Sequence, residues 1–195
     1  MKRILTIAFV LLVISATAFA NSRPGKRVLF TQDWRFHLGE VANGQDTGLD
    51  DAQWRLLDLP HDWSIEGEFS ENAPSGTGGG ALPGGLGWYR KTFTVPLTSK
   101  GKVVFVEFDG VYRNSEVWIN GHYLGKRPYG YSTFMYELTP HLNYGGGPNV
   151  IAVKVDNSQQ PNSRWYSGSG IYRNVWLTTL DPVHVEQWGT YITTP

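Results

Sequence analysis

The chain contains no cysteine and only two methionines among its 195 residues. The missing cysteine excludes a disulfide framework, a lipid-modified cysteine and the thiolate zinc sites. Charge of one sign is also lacking, since 17 basic residues face 17 acidic ones. Lys and Arg are scattered, so the clustered basic patch that nucleic-acid binding needs is absent, and no nucleic acid is expected. The five histidines (His37, His61, His122, His141 and His184) form no metal-like pair, so no metal or cofactor is expected. A G-x-S-x-G nucleophile elbow is missing as well. Apolar runs are short: residues 4–14 form the longest, too short to span a bilayer comfortably.

That run follows Lys2 and Arg3 and precedes Ala18-Phe19-Ala20, the anatomy of a secretory signal peptide over residues 1–20. Export to the periplasm or the extracellular space is the expectation, with no membrane attachment after cleavage. Without Lys2 and Arg3 the basic residues fall short of the acidic ones by two.

What is abundant is aromatic and glycine residues: 8 Trp, 10 Tyr, 9 Phe and 23 Gly. Aromatics beyond the needs of one core suggest stacking against sugar rings, although packing at core and rim can absorb many of them. Strand-like patterns recur at 28–30, 34–38, 56–59, 88–95, 102–108, 115–119, 122–124, 149–155, 171–178 and 183–187. Asn120-Gly121 between two of them is the mark of a two-residue hairpin turn. In 102–108, Val104, Val106 and Phe108 share one face and Val103 and Phe105 the other, so both faces are expected to be largely buried. Asp50 or Asp51 is placed to cap one short helical turn. No long pattern of helical period follows residue 20. About nine or ten short strands punctuated by Gly, Pro and Asn indicate an all-β antiparallel β-sandwich, jelly-roll or galactose-binding-domain-like, over residues 21–187.

Several stretches carry candidate chemistry. Residues 162–173, N-S-R-W-Y-S-G-S-G-I-Y-R, crowd aromatics, arginines and glycines into one loop that runs into a β-rich segment. Ser163, Arg164, Trp165 and Tyr166 are its candidate substrate-binding residues. His61 and Asp62 lie just past a strand that stops at Pro60, where an acidic side chain between two rings can take a sugar hydroxyl. Asp62 can equally cap a local turn, and Trp63 reads as core. Glu66 and Glu68 offer two carboxylates, the equipment of glycoside hydrolysis, but a solvated acidic loop accounts for them more simply. The 75–87 segment, S-G-T-G-G-G-A-L-P-G-G-L-G, lacks the Lys-Ser or Lys-Thr and the helix of a phosphate-binding loop, and reads as a long, mobile surface flap. Arg113 either reaches a ligand or, the favoured reading, pairs with Glu116 or Asp109.

Four ordered motifs carry a resemblance: L-P-H-D-W (59–63), G-W-Y-R-K-T-F (87–93), F-D-G-V-Y-R-N-S-E-V-W-I-N-G-H-Y-L-G (108–125) and S-R-W-Y-S-G-S-G-I-Y-R-N-V-W-L (163–177). Together they resemble the N-terminal sugar-binding domain of family 2 glycoside hydrolases, most nearly the exported bacterial β-galactosidases. The resemblance implies a jelly roll followed by an immunoglobulin-like sandwich and a TIM barrel that carries both catalytic glutamates. Residues 188–195 are then the start of a linker to the second domain. The barrel's acid/base glutamate follows an asparagine, and none of the glutamates here does, so no catalytic residue is expected in this chain. Asp62 falls on a sugar-contacting position of the family. The loop before S-G-I-Y-R also contacts sugar, but where several members have an acidic residue this chain has Arg164 or Ser163. The expected partners are a β-galactoside or related glycan and the two further domains. A stand-alone carbohydrate-binding module, or a remnant that binds nothing, is the alternative.

Overall fold

A computed structural model of the protein describes residues 25–194; residues 1–20, where a signal peptide is expected, lie outside the described residues. Two antiparallel sheets make the fold. The strands are β1 (Lys26–Leu29), β2 (Trp34–Leu38), β3 (Arg55–Leu57), β4 (Gly85–Thr94), β5 (Val103–Phe108), β6 (Ser115–Ile119), β7 (His122–Arg127), β8 (Phe134–Glu137), β9 (Pro148–Asn157) and β10 (Val175–Leu180). The smaller sheet has the order β1-β10-β5-β8 and the larger β3-β2-β4-β9-β6-β7. The jumps in strand order are those of an all-β sandwich whose consecutive strands often cross between sheets.

The core follows from alternation of side chains along each strand. In β5, Val104, Val106 and Phe108 are wholly buried, and Ile151, Val153 and Val155 of β9 face them from the other sheet. Trp34, Phe36, Tyr89, Val117 and Ile119 complete the larger sheet's inner face. Burial of such side chains contributes about 1.5–3 kcal/mol each before the entropy of ordering is set against it.

The other face of β5 is only half-buried at Val103 and Phe105, but Glu107 on that face is buried. Its carboxylate accepts from Arg27 (3.2 and 3.3 Å), whose guanidinium lies 3.8 Å from the Trp176 ring centre. A charged pair thus covers the outer surface where apolar packing was expected.

The hairpin forms as its sequence requires, with Asn120 and Gly121 both at positive φ (50° and 79°). Asp50 accepts from the Ala52 N–H at 3.0 Å in a bare turn, with no helix. Three strand expectations change, the first being that the strand expected over 171–178 begins only at Val175 and runs to Leu180. Residues 183–187 form no strand: Val183 and Val185 are exposed and pair with no neighbour in either sheet. The short run Phe134–Glu137, not recognised as a strand, pairs with β5 as β8 and completes the smaller sheet.

Candidate functional site

Past β3 the chain enters the core at Leu59, then lays residues 61–63 along residues 169–171. His61 N–H donates to Ile171 O (2.9 Å) and Trp63 N–H to Ser169 O (3.0 Å), so the two loops are zipped by backbone. Such close approach requires small residues. A Cβ on Gly168 would stand 2.1 Å from the Asp62 carboxylate, and one on Gly170 would stand 2.3 Å from the Tyr89 hydroxyl. Gly170 also has φ +128°, outside the comfort of an L side chain. The S-G-S-G spacing is therefore a packing device.

Asp62 is the hub of this contact. Its Oδ1 accepts from the Ser64 N–H (2.9 Å) and the Ser169 N–H (2.8 Å), while Oδ2 accepts from the Tyr166 hydroxyl. The first of these closes the local turn that a short acidic side chain favours. The side chain is half-buried and keeps lone-pair capacity on Oδ2 for a further donor. Tyr166's phenol is held above its ordinary range by burial and by its bond to the Asp62 carboxylate, so it stays a donor.

Beneath the loops lies a buried polar network missed in the sequence. Ser64 Oγ donates to Ser169 Oγ (2.6 Å), and Asn157 Nδ2 donates to the same oxygen (2.7 Å). Asn157 Oδ1 in turn accepts from Asn162 Nδ2 (2.8 Å) and Gln160 Nε2 (3.0 Å). Ser64, Asn157 and Ser169 are buried and satisfied, which fixes the loop geometry because breaking one bond strands the others. The sequence signal for it was thin: two serines and an asparagine, ordinary loop residues.

His61 points inward and is 7% exposed. Its Nδ1 lies 2.7 Å from the Tyr89 hydroxyl and its Nε2 3.3 Å from Glu66. Burial lowers its pKa, with Glu66 opposing. Glu66 and Glu68 are exposed, as a solvated acidic loop requires, and Glu66 also receives both Arg55 amino groups (2.5 and 2.8 Å). Arg55 holds its pKa down at about 2, so at neutral pH it is a carboxylate with no proton to give a leaving group.

On the solvent side, Trp165 is 77% exposed, Tyr166 is exposed, and Arg164 is exposed without an ion-pair partner among the described residues. Ser163 is half-buried and its Oγ accepts from the Trp165 N–H (3.2 Å). Trp63 is core, as expected, with its indole N–H on Gly84 O (3.0 Å). The glycine-rich segment is packed rather than free. Ser75 is buried with its hydroxyl on Leu82 O (2.7 Å), Gly78 approaches the Arg164 carbonyl, and Gly80 lies against the Tyr166 ring. The favoured pairing of Arg113 does not form: Asp109 accepts from Trp176 Nε1 (3.0 Å) and Glu116 pairs with Lys126 (3.2 Å). Among the described residues no group of three His, Cys, Asp or Glu could hold a metal, and no helix is long and apolar enough to cross a membrane.

A β-sandwich with a polar-braced loop pair at one end and exposed rings upon it has the build of a carbohydrate-recognition domain. The family model for the glycosyl hydrolases family 2 sugar binding domain matches residues 82–181. Beta-galactosidase BoGH2A of Bacteroides ovatus is 63% identical over 88% of this chain and 20% of its own length. A putative beta-glucuronidase of Formosa agariphila is 43% identical over 97% of this chain and 18% of its own. Among solved structures, a glycosyl hydrolase family 2 member from Bacteroides cellulosilyticus superposes with a TM-score of 0.83 at 43% identity, covering 87% of this chain and 22% of that one. The chain belongs to glycoside hydrolase family 2 and corresponds to its N-terminal sugar-binding domain. It spans about a fifth of the length of these curated relatives.

Proposed function

We propose that the chain supplies one wall of the sugar site of an exported β-galactosidase-like enzyme, and that other domains of such an enzyme supply the catalytic glutamates. The observation that carries this reading is the Asp62 carboxylate, fixed between two loops by Ser64, Ser169 and Tyr166 while Trp165 and Tyr166 remain exposed beside it. A carboxylate already oriented by two backbone N–H groups pays little ordering entropy when it accepts a sugar hydroxyl. The neighbouring rings offer apolar faces to the C–H side of a pyranose. Arg164 stands ready as a donor to ring hydroxyls, and Ser163 shapes the same loop. His61 contributes from behind, through its backbone bond to Ile171, by holding Asp62 in place.

Hydrolysis by this chain alone is not expected, since Glu66 is deprotonated and tied to Arg55. Turnover of a nitrophenyl β-galactoside by the purified chain, and by its Glu66→Gln variant, tests this. No turnover by either supports the reading. Activity that disappears in Glu66→Gln would place a catalytic carboxylate here and contradict it.

A further inference from the structure

A second concave surface adjoins the start of the 162–168 loop, at Asn162 and Ser163. Its volume is about 340 Å³, within the range of small-molecule sites. Tyr112, Tyr129, Tyr131, Arg113, Asn162 and Ser163 line most of it, with Pro128 and Gly130 between them.

The walls are built rather than incidental. Tyr112 is buried, and its hydroxyl donates to Asn162 Oδ1 (2.9 Å). Asn162 is held by Asn157 Oδ1 and by Gln159 O (2.7 Å), which joins this cleft to the polar network under the Asp62 loops. Tyr172 donates to Gly130 O (2.9 Å). Gly130 sits so close to the Tyr112 ring that a Cβ there would fall 2.2 Å from it. On this base Tyr129 and Tyr131 stand 63% and 52% exposed, their ring centres 5.6 Å apart. Tyr131 also meets Tyr112 edge-on at 5.3 Å. Two exposed rings braced by a buried third form a rigid apolar platform, the kind of patch that marks a recognition site.

The charge of the cleft is one-sided. Arg113 is its single charged residue, and no carboxylate lines it. The acidic groups near Arg113 in sequence are occupied: Asp109 by Trp176, Glu116 by Lys126, and Asp156 by the N–H (3.0 Å) and hydroxyl (2.6 Å) of Ser158. Arg113 forms no ion pair among the described residues. A cleft lined by one arginine and three tyrosines suits an anionic group carried on a partly apolar ring.

We infer that the Tyr129–Tyr131 cleft is a subsite for an anionic pyranose, a hexuronate or a sulfated hexose, with the ring on the tyrosines and the anion on Arg113. This goes beyond the Asp62 wall and rests on the sugar-facing reading of the 162–168 loop that the two sites share. The test is residue-resolved NMR titration of the full chain with methyl β-D-glucuronide, methyl β-D-galactoside 6-sulfate and methyl β-D-galactoside. The two anionic probes are expected to bind about two- to fivefold tighter than the neutral one, and to shift the signals of Arg113, Tyr129 and Tyr131. Arg113→Gln is expected to remove that preference. Tyr131→Ala is expected to weaken the anionic probes about three- to tenfold, with Tyr129→Ser, at the more exposed ring, as the second variant. Preference for only one of the two anions would identify the source. Equal binding of charged and neutral probes, or binding unmoved by both tyrosine variants, overturns the inference. Shifts confined to Asp62, Trp165 and Tyr166 overturn it while leaving the wall intact, whereas shifts confined to the cleft overturn the wall alone.

Discussion

Asp62 does two jobs with one carboxylate. Its Oδ1 and Oδ2 stitch residues 61–64 to 166–169, and the same fixation leaves it oriented toward the solvent side where the rings stand. The stitch depends on the absence of a side chain at Gly168. Gly168→Ala is expected to push the carboxylate away, release Tyr166 and cost about 1–3 kcal/mol, measured by urea unfolding. An unchanged midpoint would show that the loops part without penalty. A second residue-scale consequence concerns pH. His61 is depressed below 6.5 by burial, so the folded state disfavours its protonation and stability is lost as pH falls through 6.5. Glu66 is depressed from 4.5 to about 2, so its contribution is present above 4.5 and disappears as pH falls toward 2. Thermal melts between pH 8 and pH 3, in the order of these ordinary values, should therefore show two successive declines. Glu66→Gln should flatten the lower decline; if both persist in that variant, the assignment to Glu66 is wrong.

At the scale of elements, the strands with the strongest alternation were legible in the sequence, and β2, β4, β5, β6 and β9 lie where their patterns put them. The failures have physical causes. Residues 183–187 carry β-branched residues, but no sheet edge pairs with them, so propensity finds no ladder to join. Phe134–Glu137 is too short to show a period by itself and becomes a strand only because β5 offers it a partner. Candidate site residues were legible as residue types, since Asp62, Trp165 and Tyr166 declare polar and aromatic chemistry. Their partnerships were not, because the Asp62–Ser169 contact spans 107 positions of chain. The β6–β7 turn shows how an element is tied into the whole. Asn120 donates to His141 O (2.7 Å) and Asn149 Oδ1 (2.8 Å) and accepts from the Val150 N–H (2.8 Å). Asn120→Ala removes these three bonds and the residue suited to positive φ, and should cost about 2–4 kcal/mol in chemical denaturation. A loss below about 0.5 kcal/mol, the usual effect of a plain surface change, would mean that the hairpin is held by its ladder alone.

For the whole molecule, the two sheets and the end loops divide the labour. The sheets bury an aliphatic and aromatic core that needs no disulfide, while the buried Asn157, Ser64 and Ser169 hold one end in a fixed shape for recognition. Family membership places this chain in the sugar-binding domain of glycoside hydrolase family 2. A single wall has few contacts to offer, so the expected affinity for a neutral galactoside is weak, on the order of millimolar. The most direct measurement is the chemical-shift map of the full chain titrated with methyl β-D-galactoside, repeated on Asp62→Ala and Trp165→Ala. Saturable shifts are expected at Asp62, Trp165, Tyr166 and the Ser169 amide, lost in both variants. No shift at these residues up to saturating sugar, or shifts that survive both substitutions, would contradict the proposed sugar wall.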